Sequence, residues 1–353
     1  MRDRSSDIVS AMYKGIELDV FEQPPEWALP FDLPPGQFNF SGLLMRIHFL
    51  VRDISKSSGP AFTITESAGV QKVEGSAIAI GINGVKECAS LVSHLEYSDQ
   101  VNAFLLAWQR LGLDGFRYWP DSVVGPSEGV VVAANRLVAE IRTELKTTSF
   151  RARVRIRRER ANNNARSAAR FLAKAFSNSS VRVLRMDLGY FDQSVAWPSE
   201  SSARLLAADM KRFVNRMSKR TGIFSSLIGH LTFLGAGVGK RDYYHVIFFF
   251  STLDAVDDQA LTAEIGRLWQ QIVANKQGRI GLYFDCRKSA NAYKRKGIGL
   301  IGSEDKDLKK HLGQGVYFLA KCSEYIRLPS HHKTRLFSAS HPRMKSAKAS
   351  KST

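Results

Sequence analysis

The residues best suited to chemistry in this chain lie in the run Tyr243-Tyr244-His245-Val246-Ile247-Phe248-Phe249-Phe250. Its composition predicts a buried strand with one histidine near its start, directly after the glycine-rich turn Gly235–Arg241. Side chains two apart on a strand share a face, so Tyr243 and His245 point the same way. A His-hydrophobic-His strand uses that spacing to aim two imidazoles at one divalent metal. Here tyrosine takes the first position, and a phenol is a poor neutral ligand for a hard ion. His245 is therefore either a satisfied core histidine or one ligand of a rearranged site. Asp187, at the end of the strand candidate Val181–Leu188, is either a turn-capping aspartate or a functional carboxylate.

Other motifs carry less. Gly235-Ala236-Gly237-Val238-Gly239-Lys240-Arg241 resembles a phosphate-binding loop, but Leu234 replaces the leading glycine and Arg241 the Ser/Thr. It also joins two strands instead of opening a helix, so no nucleotide cofactor is expected. The pair His331-His332 lies in a Ser/Lys/Arg-rich tail without partners at metal-site spacing. Ser-His-Asp catalysis has no local signature.

Charge narrows the partner class. The 353 residues carry a formal net charge of +18, and the pI is about 9.9, a balance that favours polyanions. The cations cluster. Arg151, Arg153, Arg155, Arg157, Arg158 and Arg160 form one block, followed by Arg166, Arg170 and Lys174, with Lys240 and Arg241 in the glycine turn. After Glu324 there is no acid at all. Such clusters displace counterions from a phosphate backbone, which makes nucleic acid the leading partner. No apolar run approaches the roughly 20 residues of a membrane span, and residues 1–6 lack a secretory apolar core. Cys88, Cys286 and Cys322 are far apart and without metal-site spacing. A cytoplasmic location without membrane partners is expected.

Periodicity supplies the elements that must position these residues. Residues 1–40 are Pro-rich and irregular; Ser41–Ile54, Tyr97–Leu113 and Gly129–Leu145 read as helices. Arg151–Arg157 alternates with Ala152, Val154 and Ile156 in a strand-like way, and Arg158–Phe176 reads as helix. From Val181 the order is strand, helix Ser201–Lys219, strands Phe224–Leu234 and Tyr243–Ser251, a helix through Leu261–Ile272, strand Ile280–Phe284 and helix Lys306–Ile326. That β-α-β-β-α-β-α order predicts an α+β chain with a ferredoxin-like split-βαβ antiparallel sheet, one face helix-covered and one free. The expected domains are a helical region 1–178, the sheet domain 179–327 and a basic disordered tail 328–353.

Several motifs together resemble a known family. Asn135–Arg142 leads into the arginine block, then Arg185-Met186-Asp187-Leu188-Gly189-Tyr190, Gly229-His230, the Tyr243–Phe250 strand, Gly297-Ile298-Gly299 and Tyr317-Phe318-Leu319-Ala320-Lys321. With these, residues 95–340 resemble the inovirus (filamentous-phage) replication-protein-like family, which shares its C-terminal domain with the YagK/YfjJ prophage proteins. The resemblance implies a fold related to rolling-circle replication initiators. In those, a metal on a His-hydrophobic-His strand and a helix tyrosine nick single-stranded DNA.

Tyrosine attack forms a covalent phosphotyrosine link, a divalent ion neutralises the phosphate, and a nearby lysine adds charge or assists proton removal. Carried over, the resemblance implies Asp187 and His245 as ligands of Mg²⁺ or Mn²⁺; His230, which stands where the family has an aromatic, is a further ligand candidate from the adjacent strand. The resemblance implies Lys321 as the catalytic lysine; the tyrosine candidates are Tyr317, one residue before the family's position and so rotated about 100° from it, and Tyr325, two turns on along the same helix face. Tyr243 stands for the first histidine, Gly235 for an acidic ligand, and Phe318 for the nucleophile. The expected function is a phage or prophage replication-initiator-like protein that binds single-stranded or origin DNA, with host replication proteins as further partners. Two activities stay open: a metal-dependent tyrosine nickase, or a catalytically degenerate DNA-binding module in replication control. RNA binding is a third class, since split-βαβ sheets bearing aromatics also stack RNA bases.

Overall fold

The computed structural model describes residues 40–67, 70–85, 96–113, 127–177, 180–192, 200–237, 241–252, 257–274, 279–288, 297–321, 324, 326–327 and 335–343. Its architecture is α+β. The chain divides into two compact units, and the main division falls between Glu159 and Arg160.

The first unit is built by apolar residues at helical spacing. Its elements are α1 (Phe40–Lys56), a hairpin of β1 (Phe62–Ser67) and β2 (Val70–Gly75), α2 (Ala77–Asn83), the short β3 (Glu96–Tyr97), α3 (Asp99–Arg110) and α4 (Glu128–Lys146). Leu43, Leu44, Ile47 and Ile54 of α1, Phe104 and Trp108 of α3, and Leu137 and Ile141 of α4 are buried. Ser98 caps α3, its hydroxyl accepting from the Val101 amide at 3.2 Å.

Helix α5 (Thr148–Ala175) runs without a break through the segment whose alternation suggests a strand. The reason lies in which residues are buried. Phe150, Arg157, Ala161, Ala165, Ala168 and Ala175 recur at helical spacing and are buried, whereas Ile156 is 43% exposed. The apolar side chains between the arginines cover no common face. Arg157 is held inside by an ion pair to Asp99 (3.2 Å) and by donating to the Tyr97 carbonyl (2.6 Å).

The second unit holds β4 (Val181–Asp192), α6 (Glu200–Ser218), β5 (Leu227–Gly237), β6 (Arg241–Ser251), α7 (Asp258–Ala274), β7 (Arg279–Asp285), β8 (Gly299–Ile301) and α8 (Lys306–Lys321). After β9 (Ile326–Arg327) comes β10 (Phe337–Ala339). The sheet order is β10-β5-β6-β4-β7, with β8 paired to β4, and every pairing is antiparallel. On one face Leu184, Met186, Leu188, Val246 and Phe248 meet Phe213 of α6 and Trp269 of α7. Phe213 and Trp269 pack edge to face.

The opposite face is not free. Val183, Ile247, Phe249 and Leu231 form a second core with Ala168 and Phe171 of α5 and Leu312 and Val316 of α8. A double-sided core is what four consecutive apolar residues of β6, Ile247–Phe250, require, since neighbours on a strand point to opposite faces. Gly229 admits this packing: a Cβ there would lie 2.9 Å from the Phe171 ring and 2.6 Å from Ser340 Oγ. Nor is the tail past residue 328 wholly irregular. Phe337–Ala339 pairs with Leu231–Phe233, and the rings of Phe337 and Phe233 lie 5.2 Å apart.

Candidate functional site

The register of β4 and β6 brings the predicted polar residues together. Asp187 pairs directly with His245, and Gly189 with Tyr243. Asp187 and His245 are buried, and His245 Nδ1 lies 2.6 Å from Asp187 Oδ1. Arg185, two residues before Asp187 and on the same face, donates from Nε to His245 Nε2 at 3.1 Å. A guanidinium nitrogen can only donate, so Nε2 carries the lone pair and Nδ1 carries the proton, given to the carboxylate. The imidazole is thus neutral and bridges an anion to a cation. Cys286 extends the group. Its amide donates to the Arg185 carbonyl at 3.1 Å, continuing the β7 ladder by one residue, and the residue is fully buried. Asp187, His245 and Cys286 each offer a ligand atom, all within 4.8 Å of one another, a set able to hold a metal ion.

Tyr243 and Gly235 are one packing event. They are cross-strand partners, and a Cβ on residue 235 would come within 2.8 Å of the Tyr243 ring. The aromatic ring fills the space that a side chain at 235 would need, so a carboxylate there is excluded while Tyr243 keeps its place.

His230 does not join this group. It pairs with Phe248, while Phe233 pairs with His245; the odd offset sends the two histidines to opposite faces of the sheet. His230 is buried there, and desolvation together with the Arg220 charge pushes its pKa down to about 4. Neither does the predicted Mg²⁺ or Mn²⁺ fit the residues present. Hard ions seek several oxygen donors, whereas this group supplies one carboxylate, an imidazole and a thiol. The imidazole lone pair also faces a guanidinium.

The remaining predicted residues separate. Tyr317 on α8 is 45% exposed, and Lys321 is buried, donating from Nζ to Asn162 Oδ1 at 2.8 Å. Tyr325 and Lys240 lie outside the described residues, as does the side chain of Arg241. Of the α5 cations, Arg153 pairs with Asp99 at 3.4 Å and with Glu144 at 2.8 Å. Arg158 pairs with Glu324 at 3.6 Å, and Arg157 is buried as described. Arg151, Arg155, Arg160, Arg170 and Lys174 are exposed. Arg166 is exposed as well and donates to Asn163 Oδ1 at 2.6 Å. Sequence reasoning missed Arg185 and Cys286. The first was legible as a same-face neighbour of Asp187; the second carried no spacing signal.

Comparison of the chain with family models, with curated proteins and with solved structures returned no match.

Proposed function

We propose that this chain is a DNA-binding protein of replication-initiator type, acting in the replication of a phage or other mobile element, whose sheet centre no longer nicks DNA. The observation that carries this reading is the occupancy of His245: one ring nitrogen serves Asp187 and the other serves Arg185. A nicking centre needs that imidazole on a hard ion such as Mg²⁺ or Mn²⁺, with oxygen donors around it and a nucleophile beside it. Here the positive charge at the sheet centre comes from a guanidinium fixed through His245 to a buried carboxylate.

Two further features support the reading. The strand order of β5, β6, β4 and β7, with α6 and α7 as crossovers, supports the split-βαβ part of the reading. Helix α5 presents cations to solvent on both sides of the unit division: Arg151 and Arg155 before it, Arg160, Arg170 and Lys174 after it. Phosphate contacts by such residues give affinity without sequence readout.

The test is direct. Purified protein is incubated with single-stranded DNA and Mn²⁺, then run on a denaturing gel. The expected result is no covalent adduct, together with salt-sensitive retention of the DNA that survives His245→Ala. The exposure of Tyr317, one turn before Lys321 on α8, keeps the nickase as second reading. An adduct abolished by Tyr317→Phe or Tyr325→Phe would establish it and overturn the first.

A further inference from the structure

We infer that Asp187, His245 and Cys286 form a site for a thiophilic divalent ion of the zinc class, and that Arg185 gates it by fixing the tautomer of His245. The three side chains come from β4, β6 and the residue after β7, and their ligand atoms lie within 4.8 Å of one another. All three are buried. A carboxylate, an imidazole and a thiol make a donor set that zinc-class ions accept at distances of about 2.0–2.3 Å. The thiol is what separates this site from one for Mg²⁺ or Mn²⁺, which have little affinity for sulfur.

The gate follows from proton positions. The ring nitrogen nearest the carboxylate is Nδ1, at 2.6 Å from Asp187 Oδ1. Two ligands of one tetrahedral ion stand roughly 3.3 Å apart, so the pair must spread by a few tenths of an ångström when an ion enters between them. Nδ1 must also lose its proton. Arg185 opposes this, because its Nε–H donates to Nε2 at 3.1 Å and so keeps Nε2 as the acceptor and Nδ1 as the donor. Ion binding moves that proton from Nδ1 to Nε2, where it confronts the guanidinium and turns Arg185 aside. The thiol proton leaves to solvent as the thiolate forms. Arg185 is half-buried, which leaves its side chain an outward path. Metal and Arg185 thus compete for one imidazole in opposite tautomers.

A glutamine at position 185 reverses the preference, since its carbonyl oxygen can accept from Nε2–H. The full-length protein, stripped with a chelator, is titrated with Zn²⁺, Co²⁺ and Mn²⁺, following bound metal per chain, melting temperature and the near-ultraviolet thiolate-to-Co²⁺ charge-transfer band. Expected are one equivalent of Zn²⁺ with a raised melting temperature, a Co²⁺ band, and no shift with Mn²⁺. Arg185→Gln tightens Zn²⁺ binding by about tenfold or more, whereas Cys286→Ser loses the band and weakens binding by at least ~100-fold. Should Cys286→Ser fail to fold, the wild-type Co²⁺ band and the Arg185→Gln affinity still decide. The inference falls if neither wild type nor Arg185→Gln binds Zn²⁺, if the variant binds no tighter, or if the band survives in Cys286→Ser. DNA retention enters none of these readouts, so this result and the DNA-binding reading stand or fall separately.

Discussion

Two histidines on one sheet meet opposite fates because of the parity of their strand positions. His245 sits between a carboxylate and a guanidinium; His230 faces the α6 and α7 side, with its pKa held near 4 by burial and Arg220. His48 is lowered to about 4 as well, by burial and Arg52. A folded-state pKa below the unfolded value means that the unfolded chain binds the proton first. Stability from these groups is therefore complete above about pH 6.5 and is lost as pH falls toward 4. For His230 the loss by pH 4.5 is roughly 2–3 kcal/mol. Urea denaturation at pH 7.5 and 4.5 measures it. His230→Phe, which places an apolar residue at this buried position, is expected to remove about that much of the acid sensitivity. Equal acid sensitivity in wild type and variant would refute the assignment. Asp187 and His245 were legible in the sequence as same-site candidates, because strand periodicity and the motif both single them out. The face of His230 was not, since a one-residue difference in register sends a side chain to the other side.

At the scale of elements, burial decides where local pattern misleads. The Arg151–Arg157 alternation suggests a strand, yet Asp99 at the start of α3 draws Arg153 and Arg157 to one side of a helix. Nothing in the local sequence announces a partner more than fifty positions away. Asp99→Ala removes the carboxylate that pairs with the buried Arg157 at 3.2 Å, a change expected to cost about 3–5 kcal/mol. Thermal melting of the variant, compared with Arg151→Ala as an exposed control, checks this; equal melting temperatures would show that the buried pair is dispensable. The edge strand β5 shows the same limit. It is covered by β10 through Leu231–Phe233 and by the Ser340 hydroxyl accepting from the His230 amide at 2.8 Å. The three-residue strand sits in a Ser/Lys/Arg-rich tail whose composition reads as disorder, and only the edge it covers explains it. By contrast α1, α3, α4, α6 and α7 carry clear 3.6-residue periods, and each was legible within a few residues of its ends.

For the whole molecule, the net charge of +18 states an appetite for polyanions but does not say which cations act. The structure sorts them. Arg157 serves the interior; Arg153 and Arg158 are engaged with Glu144, Asp99 and Glu324. Arg170 and Lys174 stand exposed on α5, with no ion pair to another described residue. A cation already paired within the chain releases few counterions from DNA, because binding only exchanges one anionic partner for another. Exposed cations without such partners carry the salt dependence. Replacing Arg170 and Lys174 with glutamine is therefore expected to weaken single-stranded DNA binding at every sequence alike. It should also flatten the slope of log affinity against log salt by roughly 0.7 for each phosphate no longer neutralised. Arg158→Gln, which removes a cation already paired with Glu324, should change the slope little. Fluorescence anisotropy across a salt series separates the two. A steeper loss from Arg158→Gln than from the exposed pair would place the nucleic-acid surface away from Arg170 and Lys174 and leave net charge as the only argument for it.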